Sequence, residues 1–258
     1  MLRPRIIPCL LVHEGGLVKT VAFRNPKYVG DPINAVKIFN EKETDELIVL
    51  DIDATVNGVE PDYKMIADLA AECRMPLCYG GGIKSTEQAK TIIGLGVEKV
   101  ALSAAAIEDP KLITQIASEI GSQSVVVVLD VKKRMMSKDY DVFIHNGKKN
   151  TKRNVFEAAT QAEALGAGEI VLNSIDNDGH MKGYDLTLAR KMRDTVSVPL
   201  TVLGGAGSLA DIGALVRACG VVGASAGSLF VFKGAYKAVL INYPSVSQRD
   251  DMIRAALV

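Results

Sequence analysis

The stretch Val198-Pro199-Leu200-Thr201-Val202-Leu203-Gly204-Gly205-Ala206-Gly207-Ser208 decides the fold. A short, mostly apolar run enters a Gly-rich turn, and a helical pattern opens behind it at Ser208-Leu209-Ala210-Asp211-Ile212. Strands buried on both faces of a parallel sheet read as apolar runs of this kind. Glycines let a backbone approach a ligand, and free N–H groups at a helix start favour an anion, so phosphate is the simplest ligand for the turn. An ordinary tight strand-to-helix turn reads the same way when met only once. Here it is met twice. Pro76-Leu77-Cys78-Tyr79-Gly80-Gly81-Gly82-Ile83-Lys84-Ser85 has the same order of features, with Gly81 and Gly205 124 positions apart. Behind each turn, Gly96-Val97-Glu98-Lys99-Val100 is answered by Gly220-Val221-Val222-Gly223-Ala224 at the same offset. The chain reads as a duplicated half, with repeats over about 1–122 and 123–258 forming one domain.

Strand patterns fall near Arg5–Val12, Leu47–Asp53, Leu77–Tyr79, Lys99–Ser103, Ser124–Val131, Glu169–Ser174, Leu200–Leu203 and Val221–Ser225. Helical patterns lie between them near Asp31–Glu43, Pro61–Cys73, Ser85–Leu95, Pro110–Ile120, Asn154–Leu165, Tyr184–Val196 and Ser208–Cys219, and a last one near Ser247–Leu257. Ser85 and Ser208 are placed to cap helices, and Gly166 and Gly220 to stop them. Strict alternation implies parallel strands with right-handed crossovers, and eight units predict an α/β (β/α)8 TIM barrel. An open doubly wound sheet is the competing architecture, but it does not predict a half-chain repeat. Two connections exceed the barrel minimum: residues 13–30, with Gly15, Gly16 and Lys19, and residues 132–150, crowded with Lys132, Lys133, Arg134, Lys138, Lys148 and Lys149. A solvated hairpin accounts for the second. Both nevertheless leave the C-terminal ends of strands, where barrel enzymes keep their chemistry.

Thirty Lys plus Arg balance thirty Asp plus Glu in 258 residues, which gives no bulk electrostatic case for nucleic acid or an anionic membrane. Cys9, Cys73, Cys78 and Cys219 form no CxxC pair and have no histidine at ligand spacing, so neither metal nor other cofactor is expected. The N-terminus lacks the long apolar region of a signal peptide, no run approaches a membrane span, and a cytoplasmic protein is expected.

Several motifs carry a resemblance. They include Arg5-Ile6-Ile7-Pro8-Cys9-Leu10, Gly80-Gly81-Gly82-Ile83, Gly121-Ser122-Gln123-Ser124-Val125-Val126 and Gly147-Lys148-Lys149-Asn150-Thr151. Gly168-Glu169-Ile170, Ser174-Ile175-Asp176-Asn177-Asp178-Gly179 and Gly204-Gly205-Ala206-Gly207 complete the set. Together, over nearly the whole chain, they resemble the cyclase subunit of imidazole glycerol phosphate synthase. The resemblance implies a heterodimer with a class I glutamine amidotransferase that hydrolyses glutamine, and ammonia that crosses the barrel to a substrate with two phosphates. It implies phosphate cups at Gly81, Gly82, Ser103 and Ala104 and at Gly205, Gly207, Gly227 and Ser228. Lys19, Asn173, Asp176, Asp178 and Gly179 complete the candidate substrate-binding set. Arg5, Glu46, Lys99 and Glu169 match the family's ring of charges at the N-terminal mouth, read equally as an ammonia gate or as a salt-bridge staple.

The family's acid and base are aspartates at the ends of strands one and five. Asp130 fits the second. The first position is Leu11, which the repeat also sets opposite Asp130, at an offset of 119 (130 − 11). Leucine moves no proton, and loss of one member of such a pair costs orders of magnitude in rate. No nearby residue replaces it cleanly: His13 is the candidate substitute base, while Asp51 and Asp53, with Asp176 and Asp178, are further polar groups for the site, Asp51 equally a brace for a loop. Further pieces, Lys19-Thr20-Val21, Tyr28-Val29-Gly30-Asp31 and Gly227-Ser228-Leu229-Phe230 among them, resemble the cyclase-like paralogues associated with acetamidino modification of surface-polysaccharide sugars, as in O-antigen, where a separate sugar amidotransferase is a further partner. The sequence therefore leaves three roles: an ammonia-dependent enzyme on a phosphorylated small molecule, the histidine-pathway synthase, and a non-catalytic ammonia-conducting scaffold.

Overall fold

A computed structural model describes residues 3–135, 137, 139–234 and 236–257. Eight parallel strands close on themselves: β1 (Arg5–His13), β2 (Leu47–Asp51), β3 (Leu77–Gly80), β4 (Lys99–Leu102), β5 (Val125–Lys133), β6 (Glu169–Ser174), β7 (Leu200–Leu203) and β8 (Gly223–Ala226). Each pairs with the next, and β8 pairs with β1 through Arg5 to Gly223 and Pro8 to Ala226. That last pairing makes the sheet a closed TIM barrel and removes the open doubly wound alternative.

The local reasons are readable residue by residue. Val125-Val126-Val127-Val128-Leu129 in β5 is four β-branched valines and a leucine, buried throughout, as a strand between barrel interior and helix layer requires. Ser85 caps the helix Thr86–Gly94 through Gln88 N–H at 3.2 Å, and Ser208 caps Leu209–Cys219 through Asp211 N–H at 3.2 Å. Gly220 ends the latter helix, and Gly166 follows Val155–Ala164 with φ 106°. Strand starts in the two halves lie 120 (125 − 5), 122 (169 − 47), 123 (200 − 77) and 124 (223 − 99) apart. The capping serines lie 123 apart (208 − 85), so the glycine turns superpose one residue off the 124 spacing read from sequence.

Side chains alternate between two cores. Outward strand residues such as Leu10, Tyr79 and Leu102 pack against the helix layer, with Phe39 of the helix Pro32–Glu41 in the same cluster. Inward residues Ile7, Cys9, Ile48, Cys78, Ala101, Val126, Val128, Val171 and Leu203 fill the barrel, joined by half-buried Leu11 and Leu50. The four cysteines are unpaired, and Cys9, Cys78 and Cys219 are buried.

Both long connections are built as antiparallel extensions. β1 turns at Glu14-Gly15 into Gly16–Val21, which turns at Ala22-Phe23 into Arg24–Gly30. All four turn residues have φ between 49° and 75°, the left-handed geometry that matches strand twist in two-residue hairpins. β5 likewise continues into Tyr140–Ile144 and Lys149–Asn154. Lys138, one of the cations counted in this connection, lies outside the described residues. Among the described residues no helix is long and apolar enough to cross a membrane.

Candidate functional site

At the N-terminal end of the barrel the four predicted charges meet in a ring. Arg5 Nη1 donates to Glu46 Oε2, Arg5 Nη2 to Glu169 Oε1 at 2.7 Å, and Lys99 Nζ to Glu46 Oε1 and Glu169 Oε2 at 2.7 and 2.8 Å. Burial pushes the Glu169 carboxyl up, but Arg5 and Lys99 outweigh it and hold the group at about 2. Thr201, fully buried on β7, adds a hydroxyl donor to Glu169 Oε1 at 2.6 Å. Nothing in the sequence singled out this fifth member, because a threonine in an apolar strand carries no motif.

At the C-terminal end lies a cavity lined by Lys19, Gly81, Gly82, Ser103, Ala104, Asp130, Asn173, Asp178 and Gly227, all of them predicted site residues. Asp130 ends the apolar part of β5. Its Oδ1 accepts from Asn173 Nδ2 at 2.8 Å and its Oδ2 from Ser103 Oγ at 3.3 Å. Burial raises its pKa to about 7, against the lowering effect of those two donors. A carboxyl so poised exchanges a proton near neutrality, as a general acid or base must. Leu11 and Leu50 face the same cavity from β1 and β2 and pair side by side in register, as Asp130 and Asn173 do on β5 and β6. Equivalent places in the two halves thus differ, apolar at Leu11 and Leu50 and polar at Asp130 and Asn173.

Lys19 is buried, donates to Cys9 O, and lies so close to Gly227 that a side chain there would meet its ammonium. Burial lowers its pKa. Asp178 holds the first hairpin over the cavity: its Oδ2 accepts from Thr20 Oγ1 at 2.7 Å and from Phe23 N–H at 3.2 Å, and its carbonyl accepts from Ala22 N–H at 3.0 Å. Those bonds fix Phe23 at φ 61°, a left-handed conformation that an aromatic residue does not adopt unaided.

Other predicted residues lie elsewhere. Gly205 and Gly207 do not line the cavity. A Cβ at Gly205 would stand 2.1 Å from Gly183 O and one at Gly207 2.3 Å from Met181 O, so these glycines admit the backbone of the loop after β6. Gly179 makes the same kind of close contact with Thr20 O, and Ser228 begins the short helix Ser228–Val231 without lining the cavity. Asp176 accepts from Lys133 N–H at 3.0 Å and is outside the lining. His13 Nδ1 sits 2.8 Å from Asp53 Oδ1, also outside it, and that bond raises the imidazole pKa. Asp51 lines the cavity, but one of its oxygens braces the following turn through Asp53 N–H and Ala54 N–H at 2.8 and 3.1 Å.

Sequence reasoning missed Phe23, His145 and Asn146, which reach the cavity from the tips of the two hairpins. Asn146 Nδ2 donates to Ile52 O at 2.7 Å and ties the second hairpin to the first half of the barrel. A turn signal at Asn146-Gly147 was present, but only the fold shows where that turn lands.

Known proteins give an independent comparison. A family profile described as histidine biosynthesis protein matches residues 5–237. A Vibrio vulnificus protein provisionally named imidazole glycerol phosphate synthase subunit hisF3 is 62% identical over 249 residues, 96% of either chain. A Leptospira interrogans protein provisionally named subunit HisF of the same enzyme is 58% identical over 250 residues, 97% of this chain and 98% of its own. The imidazole glycerol phosphate synthase subunit HisF of Lactococcus lactis subsp. lactis is 42% identical over 212 residues, 82% of either chain.

Proposed function

The chain belongs to the histidine biosynthesis protein family, among the cyclase subunits of imidazole glycerol phosphate synthase, and from that premise we propose that it is an ammonia-using barrel that has left imidazole ring closure for a different acceptor. In this reading a partner glutaminase docks at the N-terminal face and releases ammonia at the ring of Arg5, Glu46, Lys99 and Glu169. Ammonia then meets a phosphate-bearing substrate in the C-terminal cavity. Lys19 and the backbone around Gly81, Gly82, Ser103, Ala104 and Gly227 hold the anionic ends, while Asp130 alone carries the proton traffic. Acetamidino-sugar synthesis for surface polysaccharides, with a separate sugar amidotransferase, is the pathway we assign.

One observation carries the departure: Leu11 stands in the cavity wall where the repeat and the family pattern call for the second carboxylate. A cyclisation that needs separate acid and base loses several powers of ten when one is removed. An addition of ammonia that needs one group cycling about its own pKa does not. The histidine-pathway reading is favoured by the 42% identity to the Lactococcus subunit. The deciding assay supplies ammonium and the family's bisphosphate ribotide to the purified chain and to Leu11→Asp. We expect no ring closure from the wild type and a gain in the variant. Wild-type turnover on the order of 1 per second, a usual enzyme rate, overturns the proposal in favour of the histidine pathway.

A further inference from the structure

Asn173 carries an atom with nothing to do. Its Nδ2 is committed to Asp130, and its Oδ1, fully buried, has no hydrogen-bond partner among the described residues. The residue is 4% exposed and lines the cavity. An unpaired buried acceptor of this kind costs about 1–3 kcal/mol, so the site is incomplete until a donor arrives. The position of that acceptor narrows what the donor is. Asn173 lies two residues beyond Val171 on β6, and Asp130 two beyond Val128 on β5, so both stand directly above the apolar residues that fill the barrel. A molecule rising through the barrel from the N-terminal ring leaves Val128 and Val171 and meets Asn173 and Asp130 as its next neighbours. Leu11, Leu50 and Leu203 supply no hydrogen-bonding group on the other sides.

We propose that Asn173 Oδ1 and the Asp130 carboxyl form a landing site for ammonia at the inner end of the cavity, distinct from the part that holds the phosphate-bearing substrate. This deepens the proposed function and rests on it. Ammonia is small enough for the floor of the cavity and offers several N–H donors, whereas Asn173 Oδ1 only accepts. Ammonia beside protonated Asp130 and ammonium beside ionised Asp130 contain the same protons, so the site holds either description without gain or loss of charge. Asn173 is then a positioning residue: it takes one N–H of the bound nitrogen and holds the Asp130 carboxyl beside it.

The test uses the intact chain and needs no turnover. The Asp130 carboxyl resonance of 13C-aspartate-labelled protein, assigned with Asp130→Asn, is followed at constant pH and ionic strength while ammonium chloride replaces potassium chloride. The expected result is a saturable shift, at least tenfold weaker in apparent affinity in Asn173→Leu. Tetramethylammonium, which has no N–H, should give no such shift against potassium. No saturable shift in the wild type, an equal shift with tetramethylammonium, or wild-type affinity in Asn173→Leu each overturns the landing site. The wild-type titration decides the matter even if the variant does not fold. Ammonium binding without ammonia-dependent turnover of any acceptor would leave the site standing and remove the function it was built on. Turnover without the shift would do the reverse.

Discussion

Replacing Asp130 by Asn tests the physical basis of the whole site. The carboxyl titrates at about 7 in the folded chain, against 3.8 for an unperturbed aspartate, because burial penalises its charged form. A carboxylate whose pKa rises on folding keeps its proton in the native state over a range where the unfolded chain has released it. Stability therefore falls as pH rises from about 4 to about 7, the reverse of a salt-bridged aspartate. Three units at about 1.4 kcal/mol each would make about 4 kcal/mol. Two of those units lie between pH 5 and 8, which gives about 3 kcal/mol, and water in the open cavity reduces the expected difference to about 1–2 kcal/mol. The asparagine amide of the Asp130→Asn variant stays neutral, keeps an oxygen for Asn173 Nδ2 and offers an N–H to Ser103. The melting temperature of the variant relative to wild type should therefore climb between pH 5 and pH 8 by about 2–8 °C for a chain of this size. Thermal unfolding of both proteins across that range checks it. Parallel pH profiles would refute the reasoning, since they would mean that Asp130 ionises in the fold as freely as in water and has no pKa suited to proton transfer.

Three further outcomes follow from other parts of the barrel. Glu169→Gln should cost about 3 kcal/mol at neutral pH, because a carboxyl held at about 2 by Arg5 and Lys99 contributes stability above its unperturbed 4.5 and loses it as pH falls through 2. The gap to wild type should close in acid, and a constant gap from pH 7 to pH 2 would sink the argument. Asp178→Ala removes the acceptor that holds Thr20 and Phe23, so amide exchange at Phe23 should accelerate at least tenfold, the equivalent of about 1.4 kcal/mol; unchanged exchange would mean the hairpin holds itself. Gly205→Ala should destabilise by about 2–5 kcal/mol in urea unfolding, combining φ 114° with a 2.1 Å approach to Gly183 O, whereas Gly15→Ala, at φ 75° with nothing nearby, should cost about 1 kcal/mol. Equal costs would show that loop packing is not what Gly205 serves.

The barrel was legible because each closed-barrel strand is buried on both faces and its sequence is nearly all apolar; β6 and β7 begin and end where the pattern sets them. The ring was legible only through the family resemblance, which marks four charges beside the strand starts. The second connection was read as a hairpin, though not where its tip lands, and the first hairpin was hidden. Arg24-Asn25-Pro26-Lys27-Tyr28 is exposed and has no buried face to impose alternation, and its shape comes from turn residues at positive φ and from the distant carboxylate of Asp178. The glycines of the second turn carry two readings for a related reason. Gly205 and Gly207 have the composition of a phosphate loop, but a glycine is required wherever backbone approaches backbone, and the sequence does not say whether the approaching atom belongs to a ligand or to Met181 and Gly183.

The contrast between the Leu11–Leu50 and Asp130–Asn173 pairs bears on the proposed change of chemistry. On β5 and β6, Asp130 and Asn173 are register partners and hydrogen-bonded to one another. On β1 and β2, Leu11 and Leu50 are register partners and both apolar. A carboxylate introduced at Leu11 would have no amide beside it of the kind Asp130 finds in Asn173. Burial would raise its pKa, as it does that of Asp130. Leu11→Asp alone therefore restores a titratable group but not the paired environment of the other half, and its activity should respond further to Leu50→Asn. If Leu11→Asp alone gave full ring closure, the wall of the first half would contribute only the one missing proton carrier. If both changes were needed together, the two leucines would be a coupled adaptation, and the apolar pair itself would be part of how this barrel selects its substrate.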